Sequence, residues 1–365
     1  MKILLLAGEE SGVMYAERIA ETVRGKIPSV EIRGYGDYGF KTGDLAVMGL
    51  GQVLRRIFYF LRVKRTMERA IDEWKPDVVC TVDYPGMNLK LAAYAKRRGI
   101  RTVHVVCPQV WAWKRGRIPK IESSLDKLCC FFPFEPSLFK PGFAEFVGHP
   151  LVDEVEKVER VEKVERVLAV LPGSRIGEIE KHMPVLLKAV DELRKQIPDL
   201  KVVIPAANDR AYSKISSYLS CSPFPVPCSL LHGEAREALR QADAAVVASG
   251  TATLEAALVG CPTVLVYRVG WLFAFLARIV IKGIRHIGLA NIIAEKAGRP
   301  CPMPELLQEN FTAENVLKTL RPWLTDSSAN AAARQELANT MKLLESGGGA
   351  IARIVEKIYP LAQVA

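Results

Sequence analysis

Ile3-Leu4-Leu5-Leu6-Ala7-Gly8-Glu9-Glu10-Ser11-Gly12 is an apolar run that breaks into a small polar loop and then into a helical period from about Met14. Such an unbroken apolar run reads as a strand buried on both faces, and flanking glycines let the chain turn sharply into a helix. The same order of events returns at Val167-Leu168-Ala169-Val170-Leu171-Pro172-Gly173-Ser174-Arg175. Outward from the first stretch, β-branched runs at Val30–Gly34, Val78–Val82 and Thr102–Val106 are separated by helical periods near Gln52–Trp74 and from Asn88. Beyond the second, Val202–Ile204, Ala244–Ala248 and Thr263–Tyr267 alternate with helices from about Glu178, from Asp209 and at Thr251–Leu258. This alternation calls for parallel sheets covered on both faces. The chain is therefore expected to be α/β, with two Rossmann-like doubly wound parallel-sheet domains.

A length of 365 residues, 49% of them hydrophobic, suits two domains better than one. The expected division is residues 1–154, a linker at 155–167, and residues 168–346. The linker is the tandem repeat from Val155 to Val167, whose apolar residues recur at every third position and so fit neither helix nor strand. The tail from Ser328 to Leu361 reads as two helices broken at Gly347-Gly348-Gly349, the last one, about 347–365, able to cross back to the first domain. The eight cysteines lack paired short spacings and are expected to be reduced, buried, small hydrophobes. Met1-Lys2-Ile3 enters the first strand without the regions of a signal peptide, so a cytoplasmic location is expected. Val269–Ala277 is uncharged for nine residues, against about 20 needed to span a bilayer.

Three loops carry candidate chemistry. Glu9 and Ser11 lie where helix N–H groups can face an anionic or polar ligand, although an ordinary strand-to-helix turn is an equal reading. Gly173, Ser174 and Arg175 repeat the geometry with a guanidinium suited to phosphate. Ser249, Gly250 and Thr251 end a strand in small residues that leave room for a diphosphate, and Glu255, one turn on, suits two ribose hydroxyls. Asp83, in Asp83-Tyr84-Pro85-Gly86-Met87-Asn88, ends a strand at the edge where catalytic groups collect; it is the candidate general base, with a helix cap as the alternative. His149 sits in a tight Gly-His-Pro turn and is carried as a further candidate. No Asp-x-Asp pair or histidine cluster stands where it would hold a metal against a diphosphate, so neither a metal nor another cofactor is expected.

The net charge of +10 favours an anionic partner. From Tyr84 to Ile121 there is no acidic residue, while nine Lys and Arg, Arg115 among them, interleave with Trp111 and Trp113. On the helix near Arg55–Arg65, Leu54, Ile57, Phe58 and Leu61 are expected to face the core, leaving Tyr59, Phe60 and Val63 outside among Arg56 and its basic neighbours. An outward apolar strip with basic edges suits the anionic surface of a membrane, with Trp271–Arg278 as a second such element. No nucleic-acid module is recognisable, so a nucleic-acid partner is not expected.

Taken together, several segments resemble the lipid-A-disaccharide synthase family. They are Ala7-Gly8-Glu9-x-Ser11-Gly12, Leu45–Gly49, Asp83-x-Pro85-x-x-Asn88, Val110–Trp113, Pro133-Phe134-Glu135, Val147–Pro150, Leu171–Arg175, Ala248–Glu255, Asn291 and Glu305–Gln308. The resemblance implies a GT-B fold, two Rossmann-like domains facing across a cleft. It implies an inverting transferase that joins UDP-2,3-diacylglucosamine to 2,3-diacylglucosamine 1-phosphate, releasing UDP and the β-1,6 disaccharide 1-phosphate. By that pattern the second domain binds UDP, with Asn291 and Gln308 added to its polar residues, and Asn88, Trp111 and Trp113 belong to the acceptor side. A peripheral place on the inner membrane and a homodimer also follow as expectations. The chain departs from the family at Val13 and Gly86, where aspartates are usual, and at Ala290, where proline is. Two alternatives stay open: another GT-B transferase of UDP-sugars with a lipid-linked or soluble acceptor, and a non-catalytic nucleotide- or lipid-binding relative.

Overall fold

The computed structural model describes residues 1–41, 45, 57–154, 165–222, 228–270 and 285–363. Arg56, the segment 271–278 and most of the expected linker fall outside these residues.

The described strands form two wholly parallel six-stranded sheets. The first contains β1 (Lys2–Ala7), β2 (Glu31–Arg33), β3 (Val78–Val82), β4 (Arg101–Val105), β5 (Lys127–Cys130) and β6 (Ala144–Phe146), in the order β2-β1-β3-β4-β5-β6. The second contains β7 (Val167–Leu171), β8 (Lys201–Ala206), β9 (Ser229–His232), β10 (Ala244–Ala248), β11 (Thr263–Tyr267) and β12 (Glu305–Leu307), in the order β12-β11-β10-β7-β8-β9. Strand order reverses between β1 and β3 in one sheet and between β7 and β10 in the other. In open parallel sheets, ligands bind at the carboxyl ends of the strands at such a switch point. Each sheet therefore offers one site, and both lie on loops singled out above.

The apolar run of β1 is divided by its pleat. Ile3, Leu5 and Ala7 pack with Ile19 and Val23 of the helix Glu10–Lys26, while Leu4 and Leu6 pack with Val63, Met67 and Ile71 of the helix Ile57–Trp74. In the second sheet, Leu168 and Val170 of β7 share a core with Ile179, Met183 and Leu186 of the helix Ile176–Gln196 and with Leu320 of the helix Ala313–Thr325.

Two compact units result, Met1–Asp153 with Leu344–Ala365, and Glu154–Leu343. The final helix, Ala350–Gln363, buries Ile354, Val355 and Ile358 in the core of the first unit. Its return is held by polar contacts: Ser346 Oγ donates to Val147 O at 2.5 Å, and Ala350 N donates to Asp153 Oδ2 at 2.7 Å. Gly148 lies in this contact at φ 88°, and a Cβ there would overlap the Ser346 side chain.

The helix Ile57–Trp74 faces the opposite way from the sequence expectation. Val63, Met67, Ala70, Ile71 and Trp74 are buried, Tyr59 and Phe60 pack half-buried beside them, and Ile57, Phe58 and Leu61 are exposed, Phe58 by 82%. The buried line runs at intervals of three and four from Trp74 backward, and extending it reaches Phe60 and Tyr59. The N-terminal half, read alone, has apolar residues on both sides and does not fix the register.

Candidate functional site

In the first unit, the loops after β1 and β3 meet. Asp83 and Tyr84 both take left-handed backbone conformations, at φ 49° and 50°, which cost non-glycine residues strain and persist where surrounding structure enforces them. Asp83 N donates to Val105 O at 2.9 Å, tying this loop to the end of β4. A Cβ at Gly8 would lie 2.4 Å from the Tyr84 ring, so glycine is required for the ring to lie against the β1 loop. Gly12 opens onto the same place: a Cβ there would be 3.6 Å from Asp83 Cβ. Glu9 and Asp83 are thus brought together. Burial holds both carboxyls above the ordinary carboxylate range, and the negative charge of Asp83 pushes Glu9 further up. The Tyr84 phenol is also raised, by burial first and then by the charge of Glu9. Ser11 is exposed on the first turn of the helix, and Val13 is half-buried against the β1 core.

The Asn88 side chain is turned inward. Its side-chain amide is fully buried, donating to Leu6 O, Val82 O and Asp83 O at 3.1, 3.1 and 2.8 Å, while its Oδ1 accepts from Tyr35 Oη at 2.8 Å. It clamps the ends of β1 and β3 and so sets the backbone that carries Asp83. His149 is likewise turned inward. It is buried against Phe131 and Phe132, its Nδ1 accepts from Leu151 N, and its backbone N–H donates to Leu344 O where the chain returns. Burial lowers its pKa to about 4, so it is a neutral ring inside the fold.

Trp111 is half-buried and donates from Nε1 to Glu135 Oε1 at 3.1 Å; only Trp113, under Lys114, and Arg115 face solvent from this group. Tyr59 and Phe60, expected outside, pack inward toward Phe40. The apolar surface is instead Ile57, Phe58 and Leu61. Burial pushes the Glu135 carboxyl up to about 8. Together with Cys107 and Cys130 it is the one group of metal-ligating side chains found among the described residues, with ligand atoms within 4.8 Å of one another. The two cysteines are far apart in sequence and meet because β4 and β5 are neighbours. Both Glu135 oxygens already accept N–H groups, from Trp111 and from Phe132 N.

In the second unit, the loops after β7 and β10 flank the switch point. Gly173 stands at φ 116°, and a Cβ there would press on the Glu178 side chain. Ser174 and Arg175 are exposed, and the Arg175 guanidinium pairs with Glu178 at 3.0 Å while most of its surface stays open. After β10, Ser249 is half-buried, while Gly250 and Thr251 are exposed at the start of the helix Thr251–Leu258. Thr253 Oγ1 donates to Gly250 O at 2.7 Å, so a side chain fastens the turn at the start of the helix. Glu255 lies half-buried, 3.4 Å from Arg236 Nη2, and Arg236 also pairs with Glu154 at 3.2 Å.

Asn291 is buried, and its amide is consumed internally: Nδ2 donates to Met303 O and Glu305 Oε1, and Oδ1 accepts from Met303 N. Glu305 in turn accepts from Ile287 N and Gly288 N. This network occupies the Asn291 side chain and shapes the loop before it. Gln308 differs. It follows β12 at φ 52°, its carbonyl accepts from the Arg268 guanidinium, and its side-chain amide has no partner among the described residues.

The sequence reading missed His182 and Arg268. His182 Nδ1 donates to Pro172 O at 2.7 Å, and its Nε2 accepts from Arg268 N at 3.0 Å, joining the β7 loop to the end of β11. Accepting at Nε2 requires the neutral ring, and burial lowers the imidazole pKa. The available signal was its register, between Ile179 and Leu186 on the buried face of its helix.

Two doubly wound sheets, each with a polar switch-point loop, define the GT-B class. Fold comparison agrees, pairing the chain with a putative UDP-N-acetylglucosamine 2-epimerase from Listeria monocytogenes, at TM-score 0.64 and 15% identity, covering 100% of this chain and 97% of that one. The calicheamicin glycosyltransferase CalG4 pairs at TM-score 0.63 and 15% identity, covering 100% and 99%. The lipid-A-disaccharide synthetase family model matches residues 3–352, and the chain belongs to that family. It is 38% identical over 344 residues to the lipid-A-disaccharide synthase of Xylella fastidiosa (strain 9a5c), covering 88% of each chain. It is 35% identical over 369 residues to that of Chromohalobacter salexigens, covering 95% of this chain and 94% of that protein.

Proposed function

We propose that the chain is an inverting hexosyltransferase of lipid A biosynthesis, joining UDP-2,3-diacylglucosamine to 2,3-diacylglucosamine 1-phosphate. The single observation that carries this reading is Asp83, a carboxylate made more basic by burial and held on strained backbone at the first sheet's switch point. The first unit takes the acceptor, and the second takes UDP. Asp83 accepts the proton of the acceptor 6-hydroxyl as that oxygen attacks the anomeric carbon, opposite the departing UDP. Glu9 and Ser11 border the attacking hydroxyl. Ser249 N donates to Val266 O, so Arg175, the Ser249 hydroxyl and the amides of Gly250 and Thr251 stabilise the diphosphate, Glu255 holds the ribose, and Gln308 reaches the nucleotide.

The protein works from the cytoplasmic face of the inner membrane. Among the described residues no helix is long and apolar enough to cross a membrane, while Ile57, Phe58, Leu61 and Trp113 are exposed. These residues, with basic neighbours such as Arg115, rest on the bilayer surface. A homodimer belongs to the same reading and is tested by light scattering.

Incubation with both acylated sugars, with UDP release and product mass measured, tests the function. Disaccharide 1-phosphate formed by the native chain and lost in Asp83→Asn, with UDP affinity retained, is expected. Substantial turnover by the variant removes Asp83 as the base, and UDP binding without turnover by the native chain removes the enzyme.

A further inference from the structure

A cavity of about 280 Å³ lies in the first unit, beginning at Pro85 and Gly86, just beyond Asp83 and Tyr84. Its apolar floor includes Leu89, Ala93 and Ile121. Five cations from three segments line it: Lys64, Lys90, Arg97, Arg117 and Lys120, against one carboxylate, Glu68. That carboxylate is already paired with Lys64, at 2.5 Å. Lys90, Arg117 and Lys120 have no acidic partner among the described residues.

Unpaired cations on a convex surface separate into solvent. Here they converge on a concavity with an apolar floor, where displaced water strengthens each charge and like charges repel. Among the described residues no carboxylate pairs with Lys90, Arg117 or Lys120, and an anion of two negative charges would relieve the repulsion. The volume lies near the lower end of ordinary small-molecule sites, enough for a phosphorylated sugar ring and too little for a whole nucleotide sugar. The helix that supplies Lys64 also carries the exposed Ile57, Phe58 and Leu61, so a ligand with its anionic group here has an apolar surface on the same element for its chains.

We propose that this cavity receives the phosphate monoester of the acylated acceptor sugar. The inference rests on the reading that the first unit takes the acceptor. Lys90, Arg117 and Lys120 supply charge to the phosphate oxygens, and Leu89, Ala93 and Ile121 seat the apolar edge of the sugar. The cavity thereby makes the phosphate, rather than the acyl chains alone, a condition of acceptor recognition and orients the sugar beside Asp83.

The test is equilibrium binding, independent of turnover, in neutral detergent micelles, with diacylglucosamine 1-phosphate and its phosphate-free counterpart as probes. The native chain should bind the phosphorylated form about tenfold or more tightly than the other, a preference that weakens as salt is raised. The triple variant Lys90→Gln, Arg117→Gln, Lys120→Gln should lose that preference while its affinity for the phosphate-free form and for UDP stays native. Equal binding of the two forms by the native chain overturns the proposal, as does a variant that keeps the preference. Two controls separate other sources of anion. Inorganic phosphate that competes at the same concentration as the acylated ligand overturns the acceptor assignment. So does a variant that loses affinity only for anionic phosphatidylglycerol vesicles. Turnover of the native chain is scored separately, so absence of disaccharide would remove the proposed reaction and leave the binding result to decide the cavity.

Discussion

Asp83 combines two demands that oppose each other. Burial raises its pKa, which makes its ionised form a better base and a costlier occupant of the fold. For a carboxyl raised on folding, the folded state holds its proton more tightly, so its contribution to stability falls as pH rises from the unfolded value through the folded one. Asp83→Asn should therefore gain in Tm relative to the native chain across that interval and hold the gain above it, while turnover disappears. The acid limb of kcat/KM for the native chain should lie above the ordinary carboxylate range; a limb at or below that range would assign the base elsewhere. Asn88 makes the complementary case. Replacing it with Leu leaves Tyr35 Oη and three carbonyls without their partner, an expected loss of about 2–4 kcal/mol in urea unfolding. A loss under 1 kcal/mol, at about the size of a single exposed contact, would mean that the clamp is not needed. Asp83 stood out in the sequence as a carboxylate after a strand, with a helix cap as its other reading, whereas its left-handed backbone and its nearness to Glu9 were not legible there. The inward partners of Asn88 and Asn291 were not legible because most of them are backbone groups, which sequence does not display.

At the scale of the element, the helix Ile57–Trp74 shows how a register is decided by the end that is packed. Val63 and Met67 are fully buried, whereas Phe58 is 82% exposed, though all three are apolar letters within a few turns of one another. Met67→Ala should cost about 2–5 kcal/mol in unfolding, by the cavity it leaves. Phe58→Ser should leave the unfolding free energy within about 0.5 kcal/mol of native and weaken binding to anionic vesicles in a flotation assay. Reversal of the two outcomes would restore the face read from the sequence. The helix Ile176–Gln196 carries a similar hidden signal: His182 lies on its apolar side, and a histidine in such a register is usually a satisfied core residue. Here its two nitrogens connect the β7 loop to Arg268, so a structural residue positions a candidate nucleotide loop.

For the whole molecule, alternation of strand and helix made both doubly wound halves legible, and most strands end within a residue or two of where their apolar runs end. Strand order was not legible, because it depends on which helix covers which face, and β5, β6, β9 and β12 are too short or too mixed to announce themselves. The switch points therefore had to be seen. The last helix belongs by sequence to the end of the second half and by packing to the first unit, where Ile354, Val355 and Ile358 complete the face of β1 opposite the helix Ile57–Trp74. Each of these side chains contributes about 1.5–3 kcal/mol of burial, a large share of the stability of a single domain. A chain ending at Glu345 should thus lose or lower the calorimetric transition of the first unit while the second unit, whose core is untouched, still binds UDP. Acceptor binding should be lost with that transition, since Asp83 and the cationic cavity share the unit that the helix completes. An unchanged melting profile for the truncated chain would show that the first sheet is stable with that face open, and the crossing would then need a reason other than stability.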